Sequence, residues 1–292
     1  MSATATVEAA PAAPVEKFRL DYAAPPYAID TVHLDFHIAE EETLVKTRLE
    51  IKRGAGVADG TPMVLDGDAE VRGGVSSGCH MRDGPSAAQA VRVSLPISMH
   101  PSIQAVQLRE ITLDGAALVE AEDYTLTDET LTLLRPPAGA SFTLRTTVAI
   151  KPQENLQLSG LYKSSGNYVT QCEAEGFRRI TFFQDRPDIM AKYDCRIEAD
   201  KTAYPLLLAN GNEMEHGDLP DGRHWASFSD PFRKPSYLFC AVAGDLGGIQ
   251  STFTTKSGRE VALKVWSEKE NVDEVCGHPS PDIAHRTPDA RR

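Results

Sequence analysis

Basic residues are scarce in this chain: 30 lysines and arginines stand against 42 aspartates and glutamates, a formal charge of −12. Nucleic acids and anionic membrane surfaces recruit basic faces, so neither is an expected partner. Long apolar runs are also missing. No stretch reaches the ~18 residues that a membrane-spanning helix needs. The opening MSATATVEAAPAAPVEK has neither the basic nor the apolar region of a secretory signal, and it has no arginine of the transit-peptide kind. Residues 1–16 are therefore expected to form a disordered Ala/Pro-rich leader. Cysteine is sparse and odd in number: Cys79, Cys172, Cys195, Cys240 and Cys276, with no CxxC pair. Free thiols in a reducing compartment, the cytoplasm, follow from that pattern. Cys195 and Cys240 sit among apolar residues and are expected in the core. Phosphate-binding and nucleophile-elbow patterns are missing too, since Gly244-Asp245-Leu246-Gly247-Gly248 is not GxGxxG and no GxSxG occurs.

What the chain does have is alternation. Val32, Leu34, Phe36 and Ile38 interleave with Thr31, His33, Asp35 and His37, the period of a half-buried strand. The pattern resumes from Thr43 to Ile51, and the acidic turn Glu40-Glu41-Glu42 makes a hairpin of the two. Further short strands are expected over 62–65, 108–113, 125–126, 131–133, 141–150, 194–200, 204–209, 223–228, 236–243 and 258–266. Asp-Gly and Pro-Asp-Gly turns punctuate them. Only 186–190 reads as a helical turn. This is the profile of an all-β, antiparallel, sandwich-like domain. Two segments break the pattern. Residues 70–105 have no sustained period, an uncommon length of structureless chain inside a compact domain, and 275–292 turn patternless and basic. Both read as translated non-coding sequence; the alternative is a shortened paralogue with a long surface loop.

Chemistry concentrates in Thr170-Gln171-Cys172-Glu173-Ala174-Glu175-Gly176-Phe177-Arg178-Arg179 and the following Thr181–Asp188. Carboxylates held beside arginines stay ionised and can receive a cation. Histidines carry less. His33 and His37 have the i, i+4 spacing of a helical metal pair, but on a strand they lie ~13 Å apart. His216 and His224 flank the turn Leu219-Pro220-Asp221-Gly222 without a third ligand, and Cys276, His278 and His285 form only a weak cluster. Glu175 is expected to pair with Arg178 or Arg179, and Asp185, Arg186 and Asp188 to form an ion-pair and turn network.

The run TQCEAEGFRRITFFQDRPDIMAKYDCRIEADKTAYPLLLANGN resembles the N-terminal domain of the aminopeptidase N family, the zinc gluzincin aminopeptidases, in its bacterial-type branch. YAAPPYAIDTVHLDFHI, GRHWASFSDPFRKPSYLFCAVAGDL and TFTTKSGREVALKVW support the likeness. It covers residues 17–69 and 106–274 and implies a β domain over 17–250 that caps a thermolysin-like catalytic domain. Residues 251–274 would be the first strands of that catalytic domain, and 275–292 a disordered tail. The resemblance implies that Glu173 binds the free α-amino group of a peptide substrate and that Gln171 lines the same subsite. A charge-assisted hydrogen bond suits such selectivity.

The departures from the family are equally informative. Its zinc motif HExxH, in which two histidines one helical turn apart meet one metal, does not occur in these 292 residues, and neither does its GAMEN motif. Asn212-Glu213-Met214-Glu215-His216 resembles GAMEN by eye, but falls in NGNEMEHGDLPDG, a β-turn region of the cap. Zinc therefore belongs to the parent enzyme, with none expected on this chain, and no metal or catalytic residue is assigned to it. The expectation is an inactive capping domain of a metalloaminopeptidase, with self-association through the surface that would face the catalytic domain. The alternative is a non-catalytic β module that binds peptides or proteins.

Overall fold

A computed structural model describes residues 18–68 and 106–272. The expected leader, the 70–105 segment and the 275–292 tail, with Cys79, Cys276, His278 and His285, lie outside or almost wholly outside those residues. Among the described residues seventeen strands follow in order: β1 (Tyr27–His37), β2 (Thr43–Arg53), β3 (Met63–Asp66), β4 (Gln107–Leu113), β5 (Ala116–Ala117), β6 (Tyr124–Leu126), β7 (Thr130–Leu133), β8 (Ser141–Ile150) and β9 (Gly160–Ser164). They continue with β10 (Asn167–Gln171), β11 (Ala191–Asp200), β12 (Leu206–Ala209), β13 (Asn212–Asp218), β14 (Arg223–Lys234), β15 (Ala241–Gly244), β16 (Leu246–Thr254) and β17 (Glu260–Glu268). The all-β expectation holds.

The strands form an eight-stranded sheet, ordered β13-β14-β11-β1-β2-β8-β4-β5, with a four-stranded sheet β12-β15-β10-β9, a three-stranded sheet β3-β7-β6 and the hairpin β16-β17. Among the described residues every pairing between these strands is antiparallel but one: β1 runs parallel to β11, with Val32 opposite Tyr193 and Phe36 opposite Ile197. Alternation buries one face of the large sheet. Val32, Leu34 and Phe36 of β1, Val45 and Leu49 of β2, and Leu144 and Val148 of β8 turn inward. They share one core with Leu65, Leu131 and Leu133 of the three-stranded sheet and with Leu161, Tyr168 and Ala243 of the four-stranded one. A register shift between Ile29 and Thr31 lets both Ile29 and Val32 face the core although they are three residues apart.

Some boundaries differ from the sequence reading. Residues 186–190 form a turn closed by Ile189 N–H donating to the Arg186 carbonyl at 3.2 Å, not a helix. The expected strand 236–243 begins as a 3-10 turn, Ser236–Leu238, because Pro235 precedes it and Asp185 captures the Ser236 hydroxyl. Asn212–Asp218 is the edge strand β13, and the turn lies just beyond it. Cys195 is buried as expected, whereas Cys240 is exposed; Cys172 takes a core place instead.

Candidate functional site

The acidic and arginine-rich run lies where β10 leaves the four-stranded sheet. β10 is held on both sides, by β9 with Gln171 opposite Gly160, and by β15 with Val169 opposite Val242. Alternation continues past its end: Gln171 and Glu173 are exposed, while Cys172 between them is 2% exposed and points into the core. Burial pushes the Cys172 thiol pKa far up, so this sulfur serves as an anchor rather than a nucleophile. The Gln171 side-chain amide donates to the Glu173 carbonyl oxygen at 3.2 Å. The peptide bond between Glu173 and Ala174 is cis.

The chain then turns back on itself. Gly176 N–H donates to the Cys172 carbonyl at 2.8 Å. A Cβ at Gly176 would meet the Gln171 carbonyl oxygen at 2.5 Å, so this close approach demands glycine. Phe177, fully buried, pins the loop from below. Its ring packs edge-on against Phe183 at 5.0 Å and Phe239 at 5.4 Å.

Arg178 and Asp185 clamp the far side. The backbone N–H and Nε of Arg178 donate to Oδ2 of Asp185 at 3.2 and 3.1 Å, and Ser236 Oγ donates to Oδ1 at 2.5 Å. Asp66 accepts the Asp185 N–H at 2.9 Å, tying the clamp to β3. Burial disfavours the Arg178 charge, but Asp185, Asp66 and Glu175 outweigh it and hold its pKa above the ordinary arginine value. The carboxylates of this segment are therefore spoken for: Glu175 by Arg178 at 3.6 Å, Asp185 by Arg178, and Asp188 by Arg186 at 2.6 Å. The expected Asp185-Arg186-Asp188 network is thus two networks. Glu173 is the exception: among the described residues no lysine or arginine pairs with it. It is an exposed carboxylate on a firmly anchored turn, with an amide beside it.

The structure thus brings Gln171 and Glu173 side by side. What the sequence did not signal is the support, namely Asp66, Ser236 and Phe239, which come from far along the chain. The histidines take structural parts. His33 pairs with Asp194 at 3.0 Å, His37 lies between Asp35 and Glu198, His216 faces Glu213, and His224 meets the Tyr204 carbonyl at 2.7 Å. Among the described residues no three His, Cys, Asp or Glu side chains converge as metal ligands do.

Fold and loop together define an all-β domain that presents an exposed carboxylate on an anchored turn. The chain belongs to the Peptidase M1 N-terminal domain family, whose model matches residues 93–238, half of the 292 residues. Among curated proteins it is similar to the aminopeptidase N of Caulobacter vibrioides, 41% identical over 246 residues, which are 84% of this chain and 24% of that protein. The aminopeptidase N of Haemophilus influenzae is 37% identical over 258 residues, covering 88% and 25%. The chain thus spans about a quarter of the length of these curated relatives. Among solved structures, Legionella pneumophila aminopeptidase A in complex with aspartic acid superimposes with a TM-score of 0.71 at 28% identity, over 88% of this chain and 26% of that one. A mutant of an M1 zinc metallopeptidase from Deinococcus radiodurans, 13% identical with a TM-score of 0.59, shares the fold over 84% of this chain and 48% of its own.

Proposed function

We propose that this chain is the substrate-capping N-terminal domain of a zinc aminopeptidase, and that Glu173, with Gln171, receives the free α-ammonium group of a peptide. The observation that carries this reading is the Glu173 carboxylate: exposed, without a basic partner among the described residues, and mounted on a turn whose every neighbouring carboxylate is already engaged. An ammonium supplies the missing charge and up to three donors. Such a charge-assisted bond contributes about 1.5–3 kcal/mol, and it fixes the peptide N-terminus at one place. The Gln171 side chain, bonded to the Glu173 carbonyl, keeps the backbone beneath that carboxylate in place. In this reading zinc is held by another part of the parent enzyme; among the described residues no three His, Cys, Asp or Glu side chains converge.

In this reading the β domain spans 17–250 and residues 251–274 are the first strands of the next domain; the hairpin β16-β17, a sheet of its own, straddles that boundary. That hairpin leaves Phe253 44% and Trp266 38% exposed, surface that a following domain would cover and that otherwise promotes association. Free thiols at Cys172, Cys195 and Cys240 suit a cytoplasmic protein, and no helix among the described residues is long and apolar enough to cross a membrane.

Two measurements on the purified chain test the proposal. With zinc and an aminoacyl-p-nitroanilide, no turnover is expected; EDTA-sensitive hydrolysis would overturn the capping role. Fused to the rest of its parent enzyme, a Glu173→Gln variant should lose about ten- to a hundredfold in kcat/KM for peptides with free N-termini. An unchanged value would remove Glu173 from the amine site. Micromolar binding to the chain alone of peptides with free but not acetylated N-termini would favour the second reading, an independent peptide-binding module.

A further inference from the structure

The outer face of the eight-stranded sheet carries a row of polar side chains in register across neighbouring strands: Thr112, Arg145, Arg48, His33, Asp194 and Ser229. One end of the row is internally satisfied. Ser229 Oγ donates to Asp194 at 2.7 Å, His33 Nδ1 meets the other Asp194 oxygen at 3.0 Å, and Arg48 Nη2 donates to His33 Nε2 at 2.5 Å. Burial, and after it the Arg48 charge, lowers the His33 pKa, so the imidazole is neutral with its proton on Nδ1.

The other end is not satisfied. Arg48 and Arg145 stand directly opposite each other on adjacent strands, where Cβ atoms are ~5 Å apart and like charges repel. Lys46 projects from the same face two residues along β2, ~7 Å away. Arg48 has a carboxylate in Glu50 at 3.2 Å. Among the described residues, no carboxylate lies within ion-pair distance of Arg145 or Lys46, and both are exposed. Thr112 and Thr147 add hydroxyls beside them, and Glu110 stands across Thr147 from Lys46. All of these except Glu50 line a groove of about 440 Å³. Over the whole groove Lys46, Arg48, Arg145 and Arg196 stand against Asp35, Glu110 and Asp194, but Arg145 and Lys46, without carboxylate partners, gather the positive charge at one end.

We infer that this groove binds a small phosphate monoester, its phosphoryl oxygens held by Arg145, Lys46 and the free nitrogen of Arg48. A doubly charged tetrahedral oxyanion neutralises the opposed arginines, matches the planar fork of a guanidinium, and accepts from the threonine hydroxyls. The groove has more room than inorganic phosphate fills, which leaves space for an organic remainder towards Asp35 and Ser227. This site lies on the solvent face of the large sheet and does not depend on the ammonium site at Glu173.

Titrating the isotope-labelled chain with inorganic phosphate at constant ionic strength tests it. Saturable shifts are expected at the amides of Lys46, Thr112, Arg145 and Thr147, with a rise in Tm. Arg145→Gln should weaken phosphate binding about tenfold while raising Tm in phosphate-free buffer, because one of two opposed like charges is gone. A merely structural arginine would not give that crossed pair of signs. Lys46→Gln gives an independent reading should Arg145→Gln fold poorly. No saturation, equal effects from chloride or succinate, or undiminished binding in both variants would overturn the assignment.

Discussion

Asp185 and Glu173 lie twelve residues apart in the same segment, and substitution should separate their roles. The Asp185 side chain is buried and receives donors from Arg178 and Ser236, so Asp185→Asn leaves Arg178 short of its partner. A loss of about 3 kcal/mol, read as a lower urea midpoint at unchanged m-value, is expected. Glu173→Gln removes no contact of its carboxylate and should stay within about 0.5 kcal/mol of the parent. The same scale holds a pH response. The folded-state pKa of His33 lies below its unfolded value. As pH falls through about 6.5 the unfolded chain takes up the proton first. Stability therefore declines below that point and levels off once the folded imidazole is also protonated. His33→Gln should flatten the urea midpoint between pH 7 and 5. A second decline belongs to Asp35, which burial pushes up but His37 and Arg196 pull down further, to a net lowered pKa. Its contribution is present above the ordinary aspartate value of about 3.9 and is lost as pH falls through the lower, folded value. At this scale the sequence pointed to Glu173 and Gln171 because their motif is contiguous. Asp66 and Ser236 were illegible because what makes them matter is a contact across more than fifty residues of chain.

Among the elements, long strands announced themselves. β1, β2 and β8 alternate over most of their length because one face is core and the other water. The hairpin β9-β10 did not. Its ends carry Gly160, Asn167 and Gln171, and each strand buries its first two residues in succession, on both faces, so period two is lost. The bulge in β1 was hidden for a related reason, since one extra residue looks like an interrupted pattern. Strand β3 and strand β4 flank the segment 69–105. There the Val106 N–H donates to the Asp68 carbonyl at 2.5 Å, while the Asp68 N–H donates to Arg178 at 3.2 Å. Asp68 and Val106 are thus direct neighbours. Joining Asp68 directly to Val106 is expected to shift Tm by less than about 5 °C. Loss of cooperative unfolding in that deletion would show that the segment is needed by the fold.

For the whole molecule, exposed apolar surface is a liability, and part of it lies on the hairpin β16-β17. Sedimentation should show concentration-dependent association that Phe253→Lys reduces, since Phe253 is the more exposed of its two aromatics. The sheet edges are better protected. β13 carries Glu213, Glu215, His216 and Asp218 on an exposed edge, which discourages another strand from adding there. The overall class was readable because short alternating strands leave few alternatives. The parallel seam was not, because pairing direction depends on which distant strand arrives, and nothing local to β1 records it.

That seam has a consequence in time. The strand that completes β1 ends at Asp200, well over a hundred residues after His37. At a synthesis rate of ~5–20 residues per second, β1 emerges from the ribosome about ten to thirty seconds before its partner exists. Through that interval the β1 edge of the hairpin β1-β2 has no partner strand, and the polar side chains His33, Asp35 and His37 on its wet face are what the nascent chain has to keep itself apart from its neighbours.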